Sequence, residues 1–145
     1  MKPERWATLL AGLWAGVLLC IAGIAAPALF ATLALADAGR VAGRIFAREA
    51  YLSLLMAVLL FGFERWRARE LAATGRGSVL SANILLLLAT LFCTIAGHFA
   101  VQPMMAAARA GQGPWSFGAL HAVSGGLYAV KALLVIALAW RLSAR

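Results

Sequence analysis

The sequence predicts an all-α protein that folds as an integral membrane four-helix bundle. Four long apolar blocks, at about residues 7–36, 41–63, 79–101 and 117–140, are separated by short polar stretches. Each block supplies the roughly 20 mainly apolar residues that a helix needs to cross a bilayer core. Hydrophobic residues make up 64% of the chain and charged residues 12%. A soluble core has no room for so much apolar surface.

The polar stretches between the blocks are too short to form a second domain. Residues 1–145 are therefore predicted to be a single transmembrane domain. Continuous apolar runs, rather than short alternating segments, argue against a membrane β-barrel. Cys20 and Cys93 both lie in apolar blocks without a CxxC pattern, so neither a disulfide framework nor a zinc site is indicated.

The distribution of basic residues predicts how the chain crosses the membrane. If both termini and the middle connection share one side, that side holds eight basic residues: Lys2, Arg5, Arg65, Arg67, Arg69, Arg76, Arg141 and Arg145. The opposite side holds four: Arg40, Arg44, Arg48 and Arg109. The positive-inside rule then places both termini in the cytoplasm.

Aromatic residues agree with this topology. Trp6, Trp66 and Trp140 mark the cytoplasmic interface and Trp115 the outer one, whereas Trp14 lies deeper than a belt residue. The net charge of +8 is explained by basic residues beside the spans, which suit anionic lipid. No basic stripe alternates with exposed aromatics, so nucleic-acid binding is not expected.

Two features of the first block concern helix geometry. Pro27 is expected to kink or end its regular part. Gly12 and Gly16 form a GxxxG pattern, which allows two membrane helices to approach closely. Close packing inside the bundle is the first interpretation of that pattern. A homo-oligomer or a membrane partner that docks through Gly12 and Gly16 is the second.

Ionisable residues within apolar blocks are costly in a membrane and mark candidate functional sites. Five such residues from three helices, near the outer end in this topology, form a predicted polar cluster: Arg44, Arg48, Glu49, His98 and His121. The fourth block adds a stripe at helical spacing that consists of His121, Ser124, Gly125 and Tyr128, with Lys131 at its margin. Because lipid offers these groups no partner, the stripe should face the bundle interior.

Three arginines recur every four residues at the start of the second block: Arg40, Arg44 and Arg48. They form one helix face. One interpretation is a site for an anion or an anionic lipid headgroup at the outer leaflet. The other is snorkelling to the interface, with partial pairing to Asp37 or Glu49.

Lys131 is expected near the midplane with no acidic residue at its depth, so Tyr128, Thr90, Ser53, backbone carbonyls or water are its expected partners. Snorkelling towards the cytoplasm and contact with a proton, substrate or cofactor both stay open.

Metal binding is a further hypothesis for the cluster. If Glu49 points into the bundle, it can meet His98 or His121 and carry a proton or hold a metal. With Met104 and Met105, the set is chemically acceptable for copper. The spacing matches no recognised ligand motif, so no cofactor is predicted, and copper and haem remain alternatives. No nucleophile–base set or phosphate-binding loop indicates catalysis, which leaves enzymatic activity open.

Several short elements occur in a consistent order: Ala26-Pro27-Ala28-Leu29-Phe30, Ala38-Gly39-Arg40, Gly43-Arg44-Ile45-Phe46, Pro103, and residues 117–124 with His121 and Ser124. Together they resemble a bacterial four-helix membrane family of unassigned function that is similar to eukaryotic transmembrane protein 205. The resemblance implies that Pro27, Phe30, Gly39, Arg44, Phe46, His121 and Ser124 are the positions of interest, and it implies no particular activity.

The sequence thus predicts a polytopic inner-membrane protein that handles a small solute, metal ion or lipid near the outer leaflet. Two alternatives belong to other classes. One is a haem- or copper-linked redox protein that uses His98, His121 and Lys131. The other is a structural subunit that docks a partner membrane protein.

Overall fold

A computed structural model of the protein describes residues 3–75 and 80–144 and is helical almost throughout. The elements are, in order, α1 (Pro3–Cys20), a π-helical segment (Ile21–Ala25), α2 (Ala26–Thr32), α3 (Leu35–Ala73), α4 (Ala82–Ile95), a second π-helical segment (Ala96–Val101), α5 (Gln102–Arg109) and α6 (Phe117–Ser143).

These elements join into four helices that are long and apolar enough to cross a membrane. We call them the first span (Glu4–Thr32), the second span (Leu35–Ala73), the third span (Ala82–Arg109) and the fourth span (Phe117–Ser143). The predicted fold class, an all-α bundle of four membrane-spanning helices, is confirmed. The chain is a multi-pass membrane protein.

The second span is longer than the apolar block that predicted it. Two residues, Leu33 in extended conformation and Ala34, separate it from the first span. It then continues as helix through Arg65 to Ala73, where the sequence suggested a basic connector. The reason is that buried Glu64 and Ala68 continue its inward-facing stripe beyond the apolar block. Lys2, Arg76 and Arg145 of the topology argument, and Val79 at the predicted start of the third span, lie outside the described residues.

Both prolines inside the spans follow a π-helical segment rather than ending the helix. Pro27 comes two residues after the segment Ile21–Ala25, and Pro103 comes two residues after the segment Ala96–Val101. A proline has no N–H and its ring crowds the carbonyl four residues earlier. A local widening from α to π geometry relieves this conflict. The third span therefore runs on to Arg109 after Pro103.

The bundle is packed unevenly along its length. Its main core consists of small and aliphatic side chains around Trp14, including Ala11, Leu60, Leu87 and Leu138. In the other half, a much smaller buried cluster consists of Val101, Met105 and Leu120.

Contacts between distant residues show which helix ends lie together. The Thr8 hydroxyl donates to the Leu142 carbonyl over 3.2 Å, and Arg141 Nε donates to Asn83 Oδ1 over 2.9 Å. Asn83 Nδ2 in turn donates to buried Glu64 Oε2 over 3.1 Å. The start of the first span, the end of the second, the start of the third and the end of the fourth therefore meet at one end. We call this the termini end, and the other the turn end.

The GxxxG pattern does not serve packing within the bundle, so that interpretation was wrong. Gly12 and Gly16 are exposed, and a Cβ atom added at either would meet no other atom within 4 Å. The buried face of the first span is carried instead by Ala7, Ala11 and Trp14. Contact of the glycine face with another membrane helix stays a prediction.

The arrangement of helix ends predicts which connections share a side of the membrane. In a background carrying Cys20→Ala and Cys93→Ala, Thr74→Cys and Ser143→Cys should react with a membrane-impermeant maleimide from the same side. Gln112→Cys should react from the opposite side. Labelling of intact and everted membrane vesicles measures this. Labelling of all three from one side would contradict the four-span arrangement.

Candidate functional site

A cavity of about 510 Å³ lies in the turn-end half of the bundle, where the core is thin. All four spans contribute to its lining, which extends from Arg109 near the turn end to Lys131 at the centre of the fourth span. Cavities that bind small molecules usually measure about 300–1,000 Å³. This one has the size of a ligand site and lies within the membrane-spanning part of the protein.

The inner end of the cavity is formed by a buried ion pair between the second and fourth spans. Lys131 Nζ donates to both carboxylate oxygens of Glu49, each at 2.7 Å. The two side chains are 5% and 3% exposed. In so apolar a setting, an unpaired charge would cost several kcal/mol, so each member of the pair compensates the other.

A chain of hydrogen bonds orients Glu49 for this pairing. Trp14 Nε1 donates to Ser53 Oγ over 2.9 Å, and the Ser53 hydroxyl donates to Glu49 Oε1. An indole N–H is a donor only, so it commits the Ser53 oxygen to accepting and turns the hydroxyl hydrogen towards Glu49. The Ser53 hydroxyl and the Lys131 ammonium group thus both donate to the Glu49 carboxylate. The depth of Trp14, unusual for a belt residue, is explained by this contact.

The sequence-based view of Lys131 was wrong on one point, because Glu49 lies at its depth. Glu49 comes fourteen residues after Leu35, and Lys131 comes fourteen residues after Phe117, at the turn-end starts of their helices. Each residue therefore lies about 21 Å along the helix axis from the turn-end start of its own helix, so the two are at the same depth. The sequence placed the start of the second helix near Val41, which set Glu49 too close to the outer end. Lys131 does not snorkel but is held at the centre of the bundle.

Tyr128 closes the wall beside the ion pair. Its hydroxyl donates to the Leu18 carbonyl over 2.9 Å, which ties the fourth span to the first just before the π-helical segment. Lys131 Nζ lies 4.8 Å from the centre of its ring, and Phe46 meets the ring edge-on at 5.3 Å. A cation over an aromatic face is attracted by the ring quadrupole. Tyr128 therefore adds to the stabilisation of the Lys131 ammonium.

At the other end of the cavity, Arg109 and His121 both pack on Phe117. The Arg109 guanidinium carbon lies 4.5 Å from the centre of the Phe117 ring, and the His121 ring stacks on it at 5.7 Å with an interplanar angle of 17°. Both residues are exposed and line the cavity. The end of the third span and the start of the fourth thus place a cation and an imidazole at the same end of the cavity, each in contact with Phe117.

His98 does not meet Glu49, contrary to one expectation. It lies in the π-helical segment Ala96–Val101, half-buried, with its ring against Tyr51 at 5.5 Å and Phe99 at 4.8 Å. In the described part of the chain, no three His, Cys, Asp or Glu residues are grouped so that they could hold a metal ion. Glu49, His98 and His121 therefore do not form the suggested metal site. The Glu49 carboxylate accepts hydrogen bonds from Lys131 and Ser53, and the two histidine rings pack on aromatic rings.

Glycines make up part of the cavity wall. Gly39, Gly43 and Gly125 line it, and a Cβ atom added at any of the three would meet nothing within 4 Å. Glycine in a helix interior costs about 1 kcal/mol relative to alanine. Close helix packing does not require these glycines, since the space beside them is open. They keep room in the cavity.

The structure brings together most of the predicted polar residues. The predicted residues that line the cavity are Glu49, His98, His121, Ser124, Tyr128 and Lys131. Arg44 and Arg48 do not line it and are exposed, and Arg40, also exposed, pairs with Asp37. Of the positions implied by the resemblance, Phe30, Gly39 and Phe46 line the cavity, whereas Pro27 and Pro103 do not.

Sequence reasoning missed Trp14 as a member of the site, and it did not connect Glu49 with Lys131. Trp14 was noted as too deep for an interfacial belt, and Ser53 is a polar residue within an apolar run. Those two signals, taken together, would have indicated a buried hydrogen bond. Gln102, Thr94 and Arg109, which also line the cavity, gave no comparable signal.

The ion pair predicts strong coupling between its two members. Glu49→Gln and Lys131→Met should each destabilise the protein by about 3–5 kcal/mol, because each leaves a buried charge without its partner. The double variant should lose much less unfolding free energy than the two single variants lose together, because neither charge is then left buried without a partner. Reversible unfolding in mixed micelles measures this, with Arg48→Met, an exposed neighbour, as the control. Additive losses would show that the pair does not exist.

Comparison with known proteins bears on the first three spans. Residues 9–113 match the model of a family described as a domain of unknown function, DUF4149. No curated protein and no solved structure gives a significant match. The match ends before Phe117, so it does not test the similarity noted for residues 117–124. Because it covers well over half of the chain, the protein belongs to the DUF4149 family, whose function is unknown.

Proposed function

We propose that the protein is a non-enzymatic membrane protein that binds a small amphipathic molecule in the cavity between its four spans. The observation that carries this proposal is the cavity itself, about 510 Å³ in volume, with a buried ion pair at its inner end. Space between helices forfeits dispersion contacts until a ligand or lipid fills it, so the presence of this space supports a binding site.

The lining suits a molecule with both apolar and polar parts. Its walls are largely aliphatic, aromatic or small, whereas its two ends carry Arg109 with His121 and Glu49 with Lys131. Ligand sites generally combine apolar walls with a few placed polar groups. A purely polar solute would make no favourable apolar contacts with the walls. A hydrocarbon would make no polar contacts with the charged groups at the two ends.

Two segments of π-helix border the cavity and support the same proposal. Ala22 of the first segment and His98 of the second contribute to its lining. Insertions of π geometry are rare and are frequent at functional sites. In this protein both π-helical segments lie beside the cavity. Each is followed by an α-helix that has a proline in its first turn, Pro27 in α2 and Pro103 in α5.

We further propose that the protein lies in a bacterial inner membrane with both termini in the cytoplasm. The exposed tryptophans at the termini end, Trp6, Trp66 and Trp140, and Trp115 at the turn end support two interfacial belts. The cavity would then lie in the outer half of the bilayer. Similarity to transmembrane protein 205 is also proposed, on the order of the short sequence elements alone; of their residues, Phe30, Gly39 and Phe46 line the cavity.

The exposed arginines of the second span are proposed to contact anionic lipid rather than the cavity ligand. Arg44 and Arg48 make no ion pair within the described residues, and both lie outside the cavity. Arg44 and Arg48 come nine and thirteen residues after Leu35, about 14 and 20 Å along the helix axis, so their long side chains would snorkel towards the turn end to reach anionic headgroups. Such contacts would hold the turn end at the level of the headgroups.

Filling the cavity tests the proposed function. Gly43→Leu should reduce the amount of small amphipathic molecule that copurifies with the protein by about tenfold, while the bundle stays folded because the added side chain enters open space. Mass spectrometry of solvent extracts and of the intact complex measures this.

Gly62→Leu provides the matched control. Gly62 lies in the same helix, is exposed, has open space beside it and does not line the cavity. The Gly62→Leu variant should leave the amount of copurified molecule unchanged. Equal amounts of bound molecule in both variants, or none in the unmodified protein after gentle extraction, would contradict the proposal.

A further inference from the structure

We infer that the ligand is an acidic amphiphile whose carboxylate or phosphate group binds at Arg109 and His121, with its apolar part extending towards Glu49 and Lys131. This inference rests on the proposed function, and it adds the chemical class and the orientation of the ligand.

The charges of the lining favour an anion. The acidic and basic side chains that line the cavity, in the part of the chain that the structure describes, are Glu49, Arg109 and Lys131. Glu49 and Lys131 neutralise each other through two hydrogen bonds of 2.7 Å. Arg109 has no acidic side chain within 4 Å among the described residues, so the lining carries one uncompensated positive charge. One negative ligand charge would balance it.

The geometry at Arg109 suits recognition of an oxyanion. The Arg109 guanidinium carbon lies 4.5 Å from the centre of the Phe117 ring, a contact that favours the cation but uses none of its N–H groups as donors to an oxygen, so they remain available to a ligand. A guanidinium matches a carboxylate or a phosphate with two parallel hydrogen bonds. His121, which stacks on the same ring and also lines the cavity, offers a ring nitrogen as a further hydrogen-bonding group at this end.

The interior of the cavity suits an apolar chain or ring. His121 and Lys131 are ten residues apart in one helix, which corresponds to about 15 Å. Between these levels the lining includes Phe46, Leu127 and Gly125. The ion pair at the inner end is already satisfied by Ser53, Tyr128 and its own two members. It therefore does not require a charged group from the ligand.

Binding of a fluorescent single-chain fatty acid and of its methyl ester tests this assignment. With the protein in nanodiscs of zwitterionic lipid, the acid should bind at least about tenfold more tightly than the ester, because a charge-assisted pair is lost in the ester. Arg109→Gln should abolish this difference. Arg109→Lys, which keeps the charge without the paired geometry, should retain part of it.

Arg44→Gln is the control for general surface charge, because Arg44 is exposed in the same half of the bundle but lies outside the cavity. It should leave the preference for the acid intact. Competition with a lysophospholipid that ends in a phosphate, and with free inorganic phosphate, separates the sources of the oxyanion. The amphiphile should displace the probe, and inorganic phosphate should not.

The outcomes separate the two proposals. If acid and ester bind equally and Gly43→Leu weakens both, the cavity binds amphiphiles but the assignment of an acidic ligand is overturned. If Arg44→Gln removes the preference as fully as Arg109→Gln does, the preference reflects surface charge, and the assignment is again overturned. If neither probe binds, both proposals fail.

Discussion

The buried ion pair between Glu49 and Lys131 is the interaction on which the rest of the structure depends. Two charges at the centre of a membrane bundle are tolerated only when they neutralise each other and their remaining polar capacity is satisfied. Here Trp14 and Ser53 supply that support from the first and second spans, and Tyr128 supplies it from the fourth. The requirement fixes the relative depth and rotation of three helices. Apolar packing alone specifies these less sharply, because lipid is as apolar as the core.

The same pair divides the bundle into a filled half and an open half. Towards the termini end, Trp14 packs with small and aliphatic side chains, and the Glu64–Asn83–Arg141 contacts join three helix ends. Towards the turn end, glycines and two π-helical segments line a cavity that extends to Arg109. Stability therefore comes chiefly from the filled half. The open half leaves space between the helices that a bound molecule would occupy, and for that reason we propose that the function lies there.

Much of the fold could be predicted because hydrophobic length and the exclusion of polar backbone from lipid leave few alternatives. The inward-facing stripe of the fourth helix followed from its spacing, and it brought His121, Ser124, Tyr128 and Lys131 to the site. Depth was harder. The second helix extends beyond its apolar block in both directions, so hydropathy set Glu49 too far from Lys131. Which way Gly12, Gly16 and His98 face depends on the rotation of each helix about its axis. The sequence does not specify that rotation when every face of the helix is apolar.

The most direct test of this account is a distance measurement within the ion pair in a bilayer. The chain has two lysines, Lys2 and Lys131, so labelling lysine Nζ with ¹⁵N and glutamate Cδ with ¹³C gives a simple solid-state NMR experiment. We expect strong dipolar coupling from one lysine to one ionised carboxylate, consistent with nitrogen–oxygen distances of 2.7 Å, and its complete loss in Glu49→Gln. No coupling to the Lys131 nitrogen in the unmodified protein would contradict the account.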